Sequence, residues 1–315
     1  MIFQRIEAIV ARASGHDVST LGSKQVERAV VARMAELGLV DPADYERRIQ
    51  DSTDEIDELI ERVVVNESWF FRDIKPFEYL VKLFEDAFAR RGAADPVRII
   101  SVPCSAGEEA YSIAIALADR AIDPARYRIE AADISDRVLD RARSATYRAN
   151  AFRSIQPAIY HKWILKRDDE YEVSASIRGA VRFFRANLLE IDPAALEAPY
   201  DVVFCRNLLI YLDTDARRRA GSILNGMIAP GGYLFLGHAD PPGSLGTRLI
   251  PVDASGVFAY RDRVRGDERS RTYPMISISM YDHVFALDRV FGPRAEGAAS
   301  APGAPVVTNN GEVKL

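Results

Sequence analysis

The spacing of apolar residues divides the chain near residue 96. Before that point apolar residues recur every three or four positions, as in Ile2, Ile6 and Val10, and this spacing predicts a run of amphipathic helices. Two helix starts are marked by capping signals. Asp41-Pro42 combines an N-cap with a proline at the first helical position, and Ser52-x-x-Glu55 has the form of a capping box.

After Pro96 the pattern becomes that of strands alternating with helices. The predicted strands are Val97–Val102, Arg128–Asp133, Val181–Phe184, Tyr200–Phe204 and Gly232–Leu236, the last after a Pro-Gly-Gly turn. The predicted helices of this part are Glu108–Arg120, Asp136–Ala145 and Asp213–Ile228, and a longer helix over Phe77–Gly92 precedes its first strand. Such alternation is typical of an α/β fold with a mostly parallel sheet and helices on both faces. Because ligands of these folds bind beyond the carboxyl ends of the strands, the functional residues are expected there.

The composition narrows the class of function. The chain has 315 residues, of which 48% are apolar and 28% charged, with a formal net charge of -5, as in a globular protein with a sizeable core. The acidic balance argues against nucleic acid as a partner, and no run approaches the ~20 apolar residues of a membrane span. Cys104 and Cys205 are the only cysteines and the four histidines are scattered. This excludes a disulfide framework, argues against a zinc site and predicts a cytoplasmic protein.

Polar segments follow the first two predicted strands. Pro103–Glu109 contains Gly107, whose freedom would let the backbone approach a ligand, but it lacks the G-x-G-x-x-G of dinucleotide-binding folds. Asp133 ends the second strand, where an acid accepts hydrogen bonds from ribose hydroxyls in nucleotide-binding folds. Glu108 and Glu109 equally suit a first helical turn, and Asp133 equally suits a helix cap. Together the segments favour an adenosine ligand without phosphate, such as S-adenosylmethionine.

Six motifs, in their order along the chain, resemble those of the CheR family. They are Asn66–Asp73, Pro103–Ser112, Ala132–Ser135, Asn187–Leu189, Phe204–Tyr211, and Gly231-Gly232 with Leu236–Asp240. Enzymes of this family transfer a methyl group from S-adenosylmethionine to glutamate side chains of chemoreceptors and release S-adenosylhomocysteine. The Trp-Phe-Phe-Arg-Asp form of the first motif resembles the branch that serves alternative chemosensory systems of the Wsp type.

The resemblance implies an organisation in three parts. Residues 1–65 would form a helical receptor-docking domain, and residues 66–265 a class I methyltransferase domain with a small hairpin inserted near 170–184. Residues 266–315 would be a C-terminal extension, partly disordered because of its Ala-, Gly- and Pro-rich end. The implied protein is a monomer that does not insert into the membrane. Its implied partner is the cytoplasmic helical bundle of a methyl-accepting chemoreceptor.

The resemblance also implies roles for individual residues. Arg72 and Tyr211 are the catalytic candidates, because they would position the substrate carboxylate. The expected cofactor contacts are Asn66, Ser68, Arg72, Gly107, Glu108, Glu109, Asp133, Asn187, Leu188, Arg206 and Asn207, with no metal. Of these, Glu108 or Glu109 would contact the methionine end and Asp133 the ribose. The departures from the family pattern, among them Asp240 for the usual glutamate, remove no charged ligand and predict an active enzyme.

The chemistry of the reaction agrees with this set of residues. A glutamate side chain, with a reference pKa of about 4.3, is ionised at neutral pH, so methyl transfer to it requires no general base. It requires alignment, which a guanidinium can provide through paired hydrogen bonds to a carboxylate. Three hypotheses follow: a receptor glutamate methyltransferase, which is favoured; a methyltransferase acting on another protein or a small acid; and a non-catalytic adaptor that binds receptor or cofactor.

The docking surface is expected on the helical domain. Residues 1–65 carry 8 Lys and Arg against 13 Asp and Glu, but Lys24, Arg28 and Arg33 cluster along one helix. This cluster fits an acidic receptor face and equally fits a solvated helix face. Some family members grip a receptor's C-terminal pentapeptide with a glycine-containing loop of the inserted hairpin. The stretch Leu165–Glu170 has no glycine, which argues against such a tether here.

Overall fold

The computed structural model describes residues 2–64, 67–155 and 160–263, so Asn66 and the predicted extension 266–315 lie outside the described residues. Five helices come first: α1 (Ile2–Ser14), α2 (Val18–Leu21), α3 (Ser23–Glu36), α4 (Pro42–Asp51) and α5 (Thr53–Val63). They pack around an apolar cluster of their own, which includes Ile6, Val30, Ile49 and Leu59. This confirms the run of helices predicted from the spacing of apolar residues.

The capping signals are confirmed in part. Asp41 caps α4 as predicted. Ser52 caps α5 by accepting a hydrogen bond from the backbone N–H of Glu55 at 3.3 Å. The carboxylate of Glu55, however, accepts from Arg33 Nε at 2.7 Å and from the Tyr45 hydroxyl at 3.0 Å. The buried carboxylate is thus held by a charged partner from α3, because a guanidinium adds the attraction of a full positive charge that a backbone N–H lacks.

The second part of the chain forms an α/β sheet. Its strands are β1 (Val97–Ser101), β2 (Tyr127–Asp133), β6 (Val181–Arg185), β7 (Tyr200–Phe204), β8 (Ile228–Phe235), β9 (Leu249–Pro251) and β10 (Ala259–Asp262). Within the described residues the strand order is β6-β2-β1-β7-β8-β10-β9, and β6, β2, β1, β7 and β8 run parallel. Strand β10 is antiparallel to both β8 and β9. The predicted fold class, a mostly parallel sheet preceded by an all-helical part, is confirmed.

Helices cover both faces of this sheet. They are α6 (Lys75–Glu85), α7 (Glu108–Asp119), α8 (Asp136–Ser144), α9 (Ala175–Arg178) and α10 (Thr214–Met227). Successive strand residues point to opposite faces. Accordingly, Ile99 and Val202 join the core of α6 and α7, whereas Ile100 and Val203 join the core of α10. No helix among the described residues is long and apolar enough to cross a membrane.

The inserted hairpin lies earlier in the chain than predicted. A small antiparallel sheet is formed by β3 (Thr146–Arg148), β4 (Ile164–Arg167) and β5 (Glu170–Val173), with β4 and β5 as the hairpin. The family resemblance placed residues up to Phe184 in the hairpin, whereas the strand pattern predicted Val181–Phe184 as a strand of the main sheet. The second prediction is confirmed, since Val181–Arg185 pairs with β2 as the edge strand. Its apolar residues Val181 and Phe183 pack towards α7 and the core, so burial decides the pairing.

Two other predicted boundaries were wrong. Helix α6 ends at Glu85, seven residues before Gly92. The backbone N–H of Phe88 donates to the Leu83 carbonyl at 2.7 Å, and this turn brings the Phe88 ring back towards the core. The Pro-Gly-Gly turn is part of β8 and accompanies a shift in its register with β7. Gly232 is required there, because a Cβ would lie 2.9 Å from the Asp201 carbonyl oxygen.

The helical part is held against the carboxyl edge of the sheet. In the loop between α1 and α2, the Asp17 N–H donates to the Tyr211 carbonyl at 2.7 Å, and the Gly15 carbonyl accepts from the Asp213 N–H at 3.1 Å. From α5, Glu61 accepts from the hydroxyl of Ser135. These contacts bring one edge of the helical part over the ends of the parallel strands.

Candidate active site

A cleft opens where β1, β2, β6 and β7 end, as the α/β pattern predicted. The predicted site residues that line it are Ser68, Arg72, Glu109, Asp133, Asn187, Leu188, Arg206, Asn207 and Tyr211. Gly107 and Glu108 are absent from its lining, and Asn66 lies outside the described residues. The fold therefore brings together nine residues that are up to 143 positions apart in the sequence, from Ser68 to Tyr211.

Asp133 is the most deeply buried carboxylate of the cleft, at 3% exposure. Its Oδ2 accepts from the Ser105 N–H at 2.8 Å and its Oδ1 from the Ser135 N–H at 3.1 Å. Burial raises the pKa of Asp133 to about 6, against hydrogen bonds from the backbone of Ser135, Ser105 and Ile134. The group is thus mostly ionised at pH 7, and because a carboxylate has about four lone-pair sites it can accept from a further donor.

Gly107 serves the packing of the cleft wall. It is the N-cap of α7, with φ +89°, a conformation that favours glycine. A Cβ at this position would lie 2.9 Å from the Ala142 Cβ and 3.1 Å from the Phe183 ring. Both of these atoms belong to the protein interior, so the structure gives a reason for the glycine that involves no ligand.

The two glutamates at the start of α7 have different surroundings. Glu109 lines the cleft; its Oε1 accepts from the Ser101 hydroxyl at 2.7 Å and its Oε2 pairs with Arg206 at 2.9 Å. Glu108 is 4% exposed, and its Oε2 has no hydrogen-bond partner among the described residues. Burial raises the pKa of Glu108. The structure thus brings Glu109, and not Glu108, to the cleft.

Arg206, which follows the end of β7, ties three segments together. Its guanidinium is buried and pairs with Glu109 at 2.9 Å and Asp73 at 2.8 Å. It also donates to the backbone carbonyl of Arg72 at 2.8 Å. One cation thus pairs with two carboxylates, a set that keeps a net negative charge, and it fixes the segment 72–73 against α7 and the end of β7.

Arg72 and Tyr211 are half-buried at the cleft. Arg72 Nη1 donates to the Glu67 carbonyl at 3.1 Å. Burial and then the charge of Arg206 lower the pKa of Arg72 from its usual value. A guanidinium has five N–H donors, so the bond to Glu67 leaves others available.

Tyr211 owes its position to the helical part of the chain. Its backbone carbonyl accepts from the Asp17 N–H at 2.7 Å and from the Thr20 hydroxyl at 2.9 Å. Its ring lies 6.2 Å from the His16 ring, measured between centroids. The helical part therefore forms one wall of the cleft.

His16 is a cleft residue that sequence analysis missed. It is 8% exposed, lines the cleft, and its Nδ1 has no hydrogen-bond partner within the described part of the chain. Burial lowers the pKa of His16, so the imidazole is neutral at pH 7. A single histidine in a helical segment carries no periodic or motif signal, and the fold alone brings it to the cleft.

Asp240 is a second residue whose role was missed. Its carboxylate accepts from the backbone N–H groups of Asn207 at 2.5 Å, Gly237 at 2.8 Å and Ile210 at 3.3 Å. Asn207 has φ +60°, and Asp240 holds this strained loop, which carries Arg206 and Tyr211. The signal available in the sequence was an acid four residues after the predicted strand Gly232–Leu236.

Two family models match the chain. One, described as the CheR methyltransferase SAM-binding domain, matches residues 66–248, and the other, the CheR methyltransferase all-alpha domain, matches residues 1–64. The chain belongs to the CheR methyltransferase family. The resemblance drawn from six motifs is thereby confirmed, as is the prediction that this is a family of S-adenosylmethionine-binding methyltransferases.

Curated relatives of this CheR protein include the probable biofilm formation methyltransferase WspC of Pseudomonas aeruginosa. The two sequences are 39% identical over 256 residues, which cover 81% of this chain and 61% of the relative. Chemotaxis protein methyltransferase 2 of Vibrio cholerae is 36% identical over 61% of this chain and 68% of the relative. The chemotaxis protein methyltransferase of Salmonella typhimurium is 30% identical over 76% of this chain and 83% of the relative. The WspC match confirms the resemblance to the Wsp-type branch. The chain spans about three-fifths of the length of the WspC relatives that it matches.

The cleft of this CheR protein has the chemistry that S-adenosylmethionine requires. Asp133 offers free lone pairs to hydroxyl donors, and Glu109 offers negative charge to an ammonium group. Leu188 and Ile134 provide apolar surface for a base. The residues present therefore fit the cofactor.

Proposed function

We propose that this CheR-family protein transfers a methyl group from S-adenosylmethionine to glutamate side chains of methyl-accepting chemoreceptors. The products are glutamate methyl esters and S-adenosylhomocysteine. The observation that carries the proposal is the common cleft of Arg72, Tyr211 and Asp133, which combines groups for a carboxylate substrate with a buried acid for an adenosine ligand. The chemoreceptor as substrate follows from membership of the CheR family, and relatives that are named chemotaxis protein methyltransferases support it.

The cofactor would be held by residues at four strand ends. Asp133 would accept hydrogen bonds from the ribose hydroxyls, and Glu109 would attract the ammonium group of the methionine end. Asn187 and Leu188, which follow β6, would lie along the adenine. Ser68 and Asn207 would border the cofactor from the other segments of the cleft. S-adenosylmethionine, when bound, supplies an electrophilic methyl group on its sulfonium.

The substrate carboxylate would be oriented by Arg72 and Tyr211. A guanidinium matches the two oxygens of a carboxylate, and the tyrosine hydroxyl can donate a further hydrogen bond. Because the glutamate is ionised at neutral pH, no proton has to be removed before transfer. The work of the site is therefore alignment and charge, which Arg206 and Asp240 support by fixing the loops that carry Arg72 and Tyr211.

The test is transfer of a radiolabelled methyl group from S-adenosylmethionine to candidate chemoreceptors. Alkaline treatment should then release labelled methanol, because carboxyl methyl esters are base-labile. Label that resists base, or label on a small acid instead of a receptor, would favour the second hypothesis. Cofactor binding without any labelled product, across the receptors of the source genome, would favour the adaptor.

We further propose that residues 1–65 dock the cytoplasmic helical bundle of the receptor through Lys24 and Arg28. Both are exposed, and they line a shallow groove of the helical part together with Arg62. Arg33 does not belong to this surface, since its guanidinium is committed to Glu55. The docking cation cluster expected from the sequence is therefore reduced to two residues.

Three finer expectations belong to the same proposal. The protein would act as a cytoplasmic monomer on receptors whose bundles extend into the cytoplasm. It would not use a receptor pentapeptide, because the β4–β5 turn carries Asp168 and Asp169 where a glycine-containing loop is needed. Two carboxylates at this turn would also repel the carboxylate of a receptor C-terminus.

A further inference from the structure

Two guanidinium groups lie against the indole of Trp69, beside the cleft. The guanidinium carbon of Arg72 is 4.3 Å from the centroid of the indole, and that of Arg153 is 3.7 Å from it. Both distances are within the range of cation–π attraction, which is strongest for tryptophan. Trp69 does not line the cleft, whereas Arg72 does.

The backbone of Trp69 is anchored by the two residues that follow it. Phe70 and Phe71 are fully buried, and the Phe70 N–H donates to the Ala151 carbonyl at 2.8 Å. The Phe71 N–H donates to the hydroxyl of Ser112 at 2.9 Å. The indole is thus attached to a rigid stretch of the core, and it can fix the orientation of a side chain that lies over it.

The charge of Arg72 needs such a partner. Asp73 and Glu109, the carboxylates that attract it, are both paired with Arg206. Burial and the positive charge of Arg206 both act against the cation of Arg72. The π-face of Trp69 supplies negative electrostatic potential at this place without adding a carboxylate, which would compete with the substrate for Arg72.

Two neighbouring residues, Glu67 and Arg153, also restrain the stacking of Arg72 on Trp69. Arg153 pairs with the Glu67 carboxylate at 2.8 Å, and the Glu67 carbonyl accepts from Arg72 at 3.1 Å. Glu67, Trp69, Arg72 and Arg153 therefore form one connected set, here called the Trp69 cluster.

We propose that Trp69 is a positioning residue, which holds the Arg72 guanidinium by cation–π stacking so that it can receive the substrate carboxylate. This inference rests on the proposed function, since Arg72 acts there on the glutamate that is methylated. Trp69 touches neither the cofactor nor the reacting atoms in this assignment. Its effect should appear mainly in the transfer step. Because Arg72 is also an expected cofactor contact, any loss of cofactor affinity should be much smaller than the loss of transfer.

The test compares Trp69→Leu, which removes the π-face but keeps an apolar side chain, with Trp69→Phe, which keeps a π-face. We expect Trp69→Leu to lower kcat/KM for the receptor by about 3- to 30-fold, the range that corresponds to a cation–π interaction. Trp69→Phe should restore at least half of the activity. Affinity for S-adenosylhomocysteine, measured by calorimetry, should stay within about twofold of the parent protein in both variants. Trp163→Phe, which changes the only other tryptophan, is the matched control and should leave transfer unchanged.

Three results would overturn the inference: full activity of Trp69→Leu, equal losses in the Leu and Phe variants, or a loss of cofactor affinity that matches the loss of transfer. The outcome is separable from that of the proposed function. If the parent protein forms no base-labile methyl ester on any receptor, the proposed function fails, and the stacking is then judged by spectroscopy alone.

The spectroscopic arm needs no substrate. In the Trp163→Phe background Trp69 is the sole tryptophan, so its fluorescence reports on the cluster. Arg72→Gln and Arg153→Gln each remove one cation from the indole and should change its emission intensity or wavelength. Three emission spectra are compared: that of the Trp163→Phe protein and those of the same protein with Arg72→Gln or Arg153→Gln added. If all three are the same, the guanidinium groups do not stack on Trp69 in solution.

Discussion

The two sides of the cleft are built differently. The sheet side, formed by Asp133, Glu109 and Arg206, is buried or nearly so. Its charges are held by backbone N–H groups, by the Ser101 hydroxyl or by one another. The opposite side, formed by Arg72 and Tyr211, is half-buried and comes from the segment after the helical part and from a loop that the helical part supports.

This difference matches two kinds of ligand. A small cofactor that binds in the same way in every cycle is served by charges that are already fixed, since no reorganisation has to accompany binding. A side chain presented by a large partner must enter and leave, and a half-exposed wall with unused donors permits this. If this division is correct, substitutions on the sheet side should have larger effects than substitutions on the opposite side.

The largest effect should come from the sheet side, through Arg206. Arg206→Met leaves Glu109 and Asp73 without their shared cation, and breaking a buried pair in this way costs about 3–5 kcal/mol. We expect a loss of about 3 kcal/mol in the free energy of unfolding, at the low end because Asp73 is partly exposed. Urea denaturation measures it. Arg218→Met, which removes an exposed ion pair with Asp215, is the control and should change stability by less than about 0.5 kcal/mol. If both variants lose a similar amount of free energy of unfolding, the buried ion pairs of Arg206 contribute no more to stability than an exposed pair.

Asp133 tests whether the sheet side binds the cofactor. Asp133→Ala should weaken S-adenosylmethionine binding by about 1.5–3 kcal/mol, the contribution of a hydrogen bond to a charged group. Calorimetry on folded protein measures this loss. Because Asp133 also accepts from Ser105 and Ser135, the melting temperature of the variant should be recorded beside it. Equal affinities in parent and variant would place the ribose elsewhere.

The raised pKa of Asp133 predicts a pH dependence of cofactor binding. Only the ionised carboxylate can accept from both ribose hydroxyls, and its pKa is about 6 because it is buried. Affinity should therefore be constant above about pH 7 and fall as pH decreases through 6, by up to tenfold per unit. Asp133→Asn cannot titrate and should bind weakly with no such fall. A parent protein whose affinity is flat from pH 5 to 8 would contradict this role.

Tyr211 tests the opposite side. Tyr211→Phe removes one hydroxyl and keeps the ring and the backbone contacts to Asp17 and Thr20. We expect a decrease of about 0.5–1.5 kcal/mol in transition-state stabilisation, or roughly 2- to 10-fold in kcat/KM for the receptor, with unchanged cofactor affinity. Steady-state methylation and calorimetry separate the two. Full turnover of the variant would leave Arg72 alone in orienting the carboxylate.

The smallest effect on methylation is expected from the proposed docking surface on the helical part, which does not line the cleft. Reversing Lys24 and Arg28 to Glu should slow methylation a few-fold at limiting receptor, because surface charges act mainly on the rate of association. The difference should disappear in high salt, since the Debye length falls from ~10 Å at 0.1 M to ~3 Å at 1 M. Reversing the exposed Arg143 and Arg218 changes the net charge equally and serves as the control. If both pairs act alike, net charge and not a docking surface is responsible.

Local features of the amino-acid sequence were sufficient to predict most of the helices and strands and their order. Helix and strand periods, caps at Asp41 and Ser52, and six ordered motifs are local features, and local features survive in a linear sequence. They were sufficient for the fold class, for the family and for locating the cleft at the strand ends. They also named nine of the residues that line it.

Which side chains remain available to a ligand depends on the packing of the folded chain. Glu108 and Glu109 are neighbours in the sequence, yet helical geometry turns Glu109 to Arg206 and the cleft and buries Glu108 behind it. From the sequence alone Arg33 was expected to be a free cation, but in the structure it pairs with Glu55. The position of the Tyr211 backbone depends on Asp17, which lies 194 positions earlier in the chain. Such pairings join residues that are distant in the chain, and their strength depends on burial. The spacing of residues in the sequence specifies neither the partner of a charged side chain nor how deeply that side chain is buried. The roles of these residues are therefore defined only in the folded protein.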